Sequence, residues 1–194
     1  DRSLAAMPLF HIHGIVASLL APLLAGGSVI CCSSNAPSRL IALMESLQPT
    51  WLSAVPTLLQ GLLAELVRHG DRAPDHRLRL LRSSSSPLPP AVLEQLEAVF
   101  QVPVLEAYGM TEAAHQICSN RLPGMGAPRL PGSVGSPAGP EVVVLDGERR
   151  VLPPNQTGEV AIRGANVTAS YEAAEQSGWV TAGDGYPWFL TGDE

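Results

Sequence analysis

Between Ser28 and Glu106, short apolar runs alternate with helix-period stretches, and the connections between them are only a few residues long. Ser28 to Cys31, Trp51 to Val55, Leu78 to Arg82 and Val102 to Glu106 read as strands, bounded by Gly or Pro. Residues 14–25, 38–47, 56–69 and 89–100 read as helices; Gly14 opens the first, and Pro37, Pro56 and Pro89 stand at or just before the starts of the others. Strands that follow one another through a helix must run parallel, and a parallel sheet must be covered on both faces. The pattern therefore predicts an α/β fold: a largely parallel sheet with flanking helices.

After about residue 120 the pattern changes. Residues 121–140 carry five prolines and five glycines, and the helix period is lost. Glu141 to Leu145 and Glu159 to Arg163 alternate as strands do, with Asp146-Gly147 as a hairpin turn. We therefore divide the chain into an α/β subdomain, 1–120, and a small β-rich subdomain, 121–194.

Charge narrows the partners. With 12 Lys+Arg against 18 Asp+Glu the net charge is −6, which supplies no basic face for nucleic acid. Every one of these cations is Arg, so these residues offer no lysine to a phosphate or carboxylate. The longest apolar run, Ile15 to Ala25, contains Pro22 and is too short for a bilayer, so no membrane span is expected. Cys31, Cys32 and Cys118 have neither disulfide-framework nor metal spacing and are expected as small buried side chains in a reducing compartment.

Two short runs carry the chemistry. Tyr108-Gly109-Met110-Thr111-Glu112 follows the last α/β strand, Val102 to Glu106, and sits where an open sheet binds ligands, beyond the strand's carboxyl end. A ring there can stack on a purine, a hydroxyl can meet a phosphate oxygen, and a carboxylate can hold Mg²⁺. Trp188-Phe189-Leu190-Thr191-Gly192-Asp193 ends on an Asp whose two oxygens can take both hydroxyls of a ribose. Ser83 to Ser86 form a polar loop between a strand and Pro89, short enough in side chain for a flat base to approach the backbone. Each residue alone has a plainer reading: Tyr108 as a core ring, Glu112 as a solvated charge, His115 as a surface histidine, Asp193 as an exposed terminal acid.

Five stretches in order resemble the adenylate-forming superfamily of acyl-CoA synthetases, adenylation domains and luciferases: Pro8 to Gly14, Arg82 to Leu88, Tyr108 to Glu112, Gly158 to Gly164, and Trp188 to Asp193. The resemblance spans essentially all 194 residues and implies AMP-forming ligase activity with ATP, Mg²⁺ and coenzyme A as co-substrate. It implies Tyr108 against adenine, with Ser84, Ser85, Glu106, Ala107 and Gly109 around the nucleotide. It further implies Thr111 on phosphate, Glu112 on Mg²⁺, Asp193 on ribose and His11 near the acyl group. The stretch from Glu106 to Asn120 is similar to oxalate-CoA ligases, which implies that His115 and a serine of the preceding loop bind the far carboxylate of a short acid; one of Ser84 to Ser86 fits that need, with Ser85 the candidate. Four serines in the loop, where the family is richer in Gly and Ala, and Gly109 where that subfamily often has Ala, depart from the pattern.

The family's phosphate loop with its lysine and its C-terminal domain with a catalytic lysine find no match here. The chain is thus expected to be a core segment of the large domain, dependent on N-terminal and C-terminal parts of the same enzyme and inactive without them. The resemblance implies a cytoplasmic enzyme, or a peroxisomal one in a eukaryote. An adenylation domain loading a carrier protein, or a non-catalytic nucleotide-binding module of the same fold, would share these motifs.

Overall fold

The computed structural model describes residues 1–68, 70, 73–125, 129–172 and 178–194. Four elements open the chain: strand β1 (Arg2–Ala5), a π-helix (His13–Leu20) continued by a single α-turn (Ala21–Leu24), and strand β2 (Ser28–Cys31). Helix α2 (Pro37–Leu47), β3 (Trp51–Ala54), α3 (Pro56–Arg68), β4 (Leu80–Ser83), α4 (Pro90–Phe100) and β5 (Val104–Tyr108) complete the alternation. We refer to the π-helix and its α-turn together as α1.

The larger sheet has seven strands in the order β2-β1-β3-β4-β5-β6-β7, where β6 is Cys118–Ser119 and β7 is Ser136–Pro137. Pairing is parallel from β2 through β5 and antiparallel at β6 and β7. A smaller antiparallel sheet runs β10-β11-β9-β8, built from β8 (Glu141–Leu145), β9 (Glu159–Arg163), β10 (Trp179–Thr181) and β11 (Pro187–Leu190). The α/β class and the added β-rich sheet are as the sequence predicts.

Strand alternation divides the larger sheet into two unlike faces. Leu4, Leu52, Ala54, Leu81 and Val104 point to one side and form the main core with Leu40, Leu59, Leu62, Leu93, Leu96 and Phe100 from α2, α3 and α4. The opposite face carries Ser53 and Arg82, which stand directly across from each other on β3 and β4. α1 covers that face. His13 at its start bonds Ser53 on that face, and Gly14 lets α1 pack against the loop before it, because a Cβ there would lie 2.1 Å from the Pro8 carbonyl oxygen. A second core under the small sheet joins Ile117, Ile162 and Phe189.

Several boundaries differ from the sequence reading. β1 was not expected; a four-residue strand at the start of the chain offers too short a pattern to recognise. β4 begins two residues and ends one residue later than expected, and β5 lies two residues further along, so Tyr108 is the last residue of β5, not a residue beyond it. Asp146-Gly147 is not a two-residue hairpin between β8 and β9. Asp146 caps a turn that returns at Val151, and the left-handed residue in it is Arg149, at φ 64°. Cys31 is exposed, contrary to the expectation of burial, and the three cysteines are unpaired. No helix among the described residues is long and apolar enough to cross a membrane.

Candidate functional site

The register of β4 and β5 sets Ser83 beside Glu106, so the serine loop and Tyr108 emerge side by side at the carboxyl end of the sheet. Between them lies a cavity of about 420 Å³ whose walls include Ser83, Ser85, Ser86, Glu106, Tyr108 and Asp193. Ala107 and Gly109 also border it. Residues separated by more than 80 positions in the chain therefore share one cleft.

Asp193 reaches it because β11 buries Trp188 and Phe189, each 2% exposed, and the chain then turns. The Asp193 carbonyl accepts from the Val160 amide at 2.8 Å, and the Thr191 hydroxyl accepts the Asp193 amide at 3.1 Å. The Tyr108 hydroxyl donates to Asp193 Oδ2 at 2.5 Å, which steadies the carboxylate and leaves Oδ1 for another donor. Burial, reinforced by that carboxylate, pushes the Tyr108 phenol upward, so it stays protonated at neutral pH. Glu106 is buried and accepts the Gly132 amide at 2.8 Å. Burial outweighs that bond and raises its carboxyl pKa.

Thr111 opens a short 3₁₀ turn, Thr111–Ala113, and is exposed. It does not border the cavity. Glu112 is half-buried, with Oε1 accepting the Tyr171 hydroxyl at 2.7 Å. No cluster of three His, Cys, Asp or Glu able to hold a metal occurs among the described residues. A lone carboxylate is nonetheless a suitable donor set for Mg²⁺, which keeps several waters and binds chiefly through substrate phosphates.

Behind the serine loop lies a buried polar cluster that the sequence reading only partly found. Arg82 is 8% exposed. Its Nη1 donates to Ser53 Oγ at 3.0 Å and to His115 Nε2 at 3.1 Å, and its Nη2 donates to Gln116 Oε1 at 2.7 Å. His13 bridges Ser53 Oγ at 2.8 Å through Nε2 and Ser85 Oγ at 3.0 Å through Nδ1. The His13 and His115 rings stack, centroids 4.6 Å apart. Among the described residues no carboxylate forms an ion pair with Arg82. Burial lowers its pKa to about 10, so it remains a cation at neutral pH. Burial, with that cation adding to it, lowers His115 to about 4 and, with His115 as a further charge, His13 to about 3. Both imidazoles are neutral at pH 7.

The cluster brings together His115 and Ser85 of the expected residues, but His13 in place of His11. His11 is exposed and packs beside Phe10. Ser84 faces away from partners: it is fully buried and its hydroxyl has none among the described residues. The sequence places Arg82 at a strand end and at the start of the stretch Arg82 to Leu88, with no role for its charge. Its one sequence signal is an Arg directly before four serines at a parallel strand's end. Gly109 has a packing reason to be glycine, because a Cβ there would lie 1.3 Å from the His115 carbonyl oxygen. Ser85 and His115 both hold left-handed backbone, at φ 77° and 80°, an unfavourable conformation for residues with a Cβ and one concentrated at functional positions.

Two other cavities lack this chemistry. One of about 270 Å³ at the ends of β1 and β2 is lined by no charged residue. One of about 520 Å³ flanking α2 and α3 carries Glu45, Glu65 and Asp75 and, among the described residues, no cation to meet a triphosphate.

Residues 1–172 match the family described as AMP-binding enzyme. The chain is 42% identical over 195 residues to an oxalate–CoA ligase of Arabidopsis thaliana, covering 100% of this chain and 37% of the relative. It is 39% identical to a sulfoacetate–CoA ligase of Cupriavidus necator, covering 95% of this chain and 36% of that protein. MatB from Rhodopseudomonas palustris, 31% identical, superposes with TM-scores of 0.84 in its apo form and 0.81 with ATP bound; each comparison covers 99% of this chain and 37% of that one. The chain thus spans a little over a third of the length of these relatives.

Proposed function

The chain belongs to the AMP-binding enzyme family, and from that premise we propose that it is the nucleotide- and acid-binding part of an ATP-dependent acid–CoA ligase acting on a short acid with an anionic tail, oxalate-like in size. The observation that carries the reading is Arg82, a buried guanidinium with no carboxylate partner among the described residues, linked through Ser53 and His13 to Ser85 on the wall of the Tyr108–Asp193 cavity. A buried charge without a counter-ion is unfavourable, and an anionic ligand relieves it. The relatives named for oxalate and sulfoacetate act on acids of that kind, each bearing a second anionic group.

In this reading the purine lies against the Tyr108 ring and the free Oδ1 of Asp193 accepts from the ribose hydroxyls. Glu106 and Ala107 border the base, and the small side chains of the serine loop let it approach. Thr111 supplies a hydroxyl to a phosphate oxygen. Glu112, steadied by Tyr171, is the carboxylate that would hold Mg²⁺. Bound there, Mg²⁺ would neutralise charge on the triphosphate and on departing pyrophosphate. A carboxylate oxygen of the acid attacks the α-phosphorus, the bond to pyrophosphate breaks, and an acyl-adenylate forms. The CoA thiolate then attacks the acyl carbon and AMP leaves. Ser85 and His115 hold the tail and so present the other carboxylate for attack; His13, not His11, stands at the acyl end.

The test is pyrophosphate release by the protein carrying this chain, across oxalate, malonate, sulfoacetate, acetate and a long-chain fatty acid. Turnover of the anionic-tailed acids supports the reading. If they are inert while the long-chain acid reacts, it is lost. Normal oxalate use by a His115→Ala variant would remove its basis in that residue.

A further inference from the structure

We propose that Arg82 is a positioning residue that sets the direction of one hydrogen-bond chain, Arg82 to Ser53 to His13 to Ser85, so that the Ser85 hydroxyl meets the cavity as a donor to an anionic oxygen of the acid. The proposal rests on the substrate reading above for the ligand's identity, but not for the chain's direction.

The direction follows from hydrogen-bond accounting. A guanidinium can only donate, so Ser53 Oγ accepts from Arg82. Ser53 is completely buried, and its hydroxyl oxygen has two neighbours among the described residues, Arg82 and His13. Its own hydrogen therefore has one acceptor in reach, His13 Nε2. Were His13 to donate from Nε2 instead, the Ser53 hydrogen would be buried without a partner, which folded structures avoid. With Nε2 accepting, the neutral imidazole carries its proton on Nδ1 and donates it to Ser85 Oγ. Ser85 is exposed and borders the cavity, so its hydrogen is free to point outward.

The second branch agrees. His115 Nε2 accepts from Arg82, which places the proton of that ring on Nδ1 as well. Each link in such a chain polarises the next. The buried charge thus reaches the cavity wall as a strengthened Ser85 donor, while Arg82 itself stays out of contact with the ligand. A carboxylate or sulfonate oxygen fits that donor best, because its charge strengthens the bond; the carbonyl oxygen of a neutral amide accepts more weakly.

Two measurements test this. Two-bond ¹⁵N–¹H histidine spectra of the protein near neutral pH should show Nδ1–H at both His13 and His115. Ser53→Ala should remove the tautomer preference at His13 and leave that of His115 in place, which a general loss of packing would not do. Nε2–H at His13, or at His115, overturns the direction whatever the enzyme turns over.

The second measurement compares oxalate with oxamate, which has the same shape but a neutral amide tail. The wild type should prefer oxalate, and Arg82→Met should cut the ratio of kcat/KM values at least tenfold, mainly through the KM for oxalate. A folded Arg82→Met enzyme that keeps the wild-type ratio refutes the role of the charge. If both histidines carry Nδ1–H but no anionic-tailed acid reacts, the ligand named here falls with the substrate reading while the chain's direction stands.

Discussion

His13 and His115 are each 3% exposed and neutral, and this makes a quantitative demand on stability in mild acid. An ordinary histidine titrates at 6.5, whereas burial and Arg82 hold His115 at about 4. His13, held down chiefly by burial with His115 and Arg82 adding to it, lies at about 3. Below 6.5 the unfolded chain binds protons that the folded site refuses, so stability rises with pH in this window. The contribution is complete above 6.5 and is lost as pH falls toward the folded values. At about pH 4.5 each histidine would have cost the fold about 2–3 kcal/mol, taking ~1.4 kcal/mol for each pH unit below 6.5. The pair would cost ~5 kcal/mol, comparable to the whole stability of many domains. The comparison to make is wild type against His115→Gln, whose amide oxygen can still accept from Arg82 but cannot titrate. Denaturant unfolding at pH 7 and at about pH 4.5 should show the variant losing about 2–3 kcal/mol less than the wild type. Other titrating groups, including His76, Glu97, Glu106 and Asp146, are common to both proteins and largely cancel. Equal losses would mean that His115 is not a buried neutral imidazole, and the polar cluster would have to be rebuilt.

Further outcomes follow from single contacts. Tyr108→Phe removes only the hydroxyl that Asp193 accepts; unfolding should change by about 1 kcal/mol, while the KM for ATP rises ~10-fold, the equivalent of about 1.4 kcal/mol. A steady-state ATP titration checks it, and an unchanged KM would remove the pairing from nucleotide binding. Leu62→Ala, at a fully buried position between α3 and the sheet, should destabilise by about 2–5 kcal/mol in thermal or denaturant unfolding. Glu97→Gln weakens the pair with Arg129, whose side chains are 27% and 19% exposed; it should cost no more than about 1 kcal/mol by the same assay.

What the sequence made legible and what it hid have separate physical causes. The strand–helix alternation is a local pattern, so the α/β class and α2, α3 and α4 could be read from it. Tyr108 and Asp193 lay within recognisable runs, and the cavity unites them. His11 and His13 sit two positions apart in the same loop. Which one turns inward depends on the winding of α1 and on Gly14 packing against Pro8, neither visible in the residue types. Arg82 was hidden for a similar reason. A charged residue at a strand end ordinarily faces water, and its burial depends on Ser53 lying opposite in register and on His115 arriving from beyond β5. Asp146-Gly147 looked like a hairpin because the type of turn is set by the strands it joins. There the chain needed its left-handed residue at Arg149.

The most direct test of the central claim is a crystal structure of the protein carrying this chain with a non-hydrolysable oxalyl-adenylate analogue. The account predicts the purine against Tyr108, the ribose hydroxyls on Asp193 and the distal carboxylate within hydrogen-bond distance of Ser85, with Arg82 behind it. An analogue bound at the ends of β1 and β2, or bound in the Tyr108 cavity with its carboxylate turned away from Ser85, would contradict it.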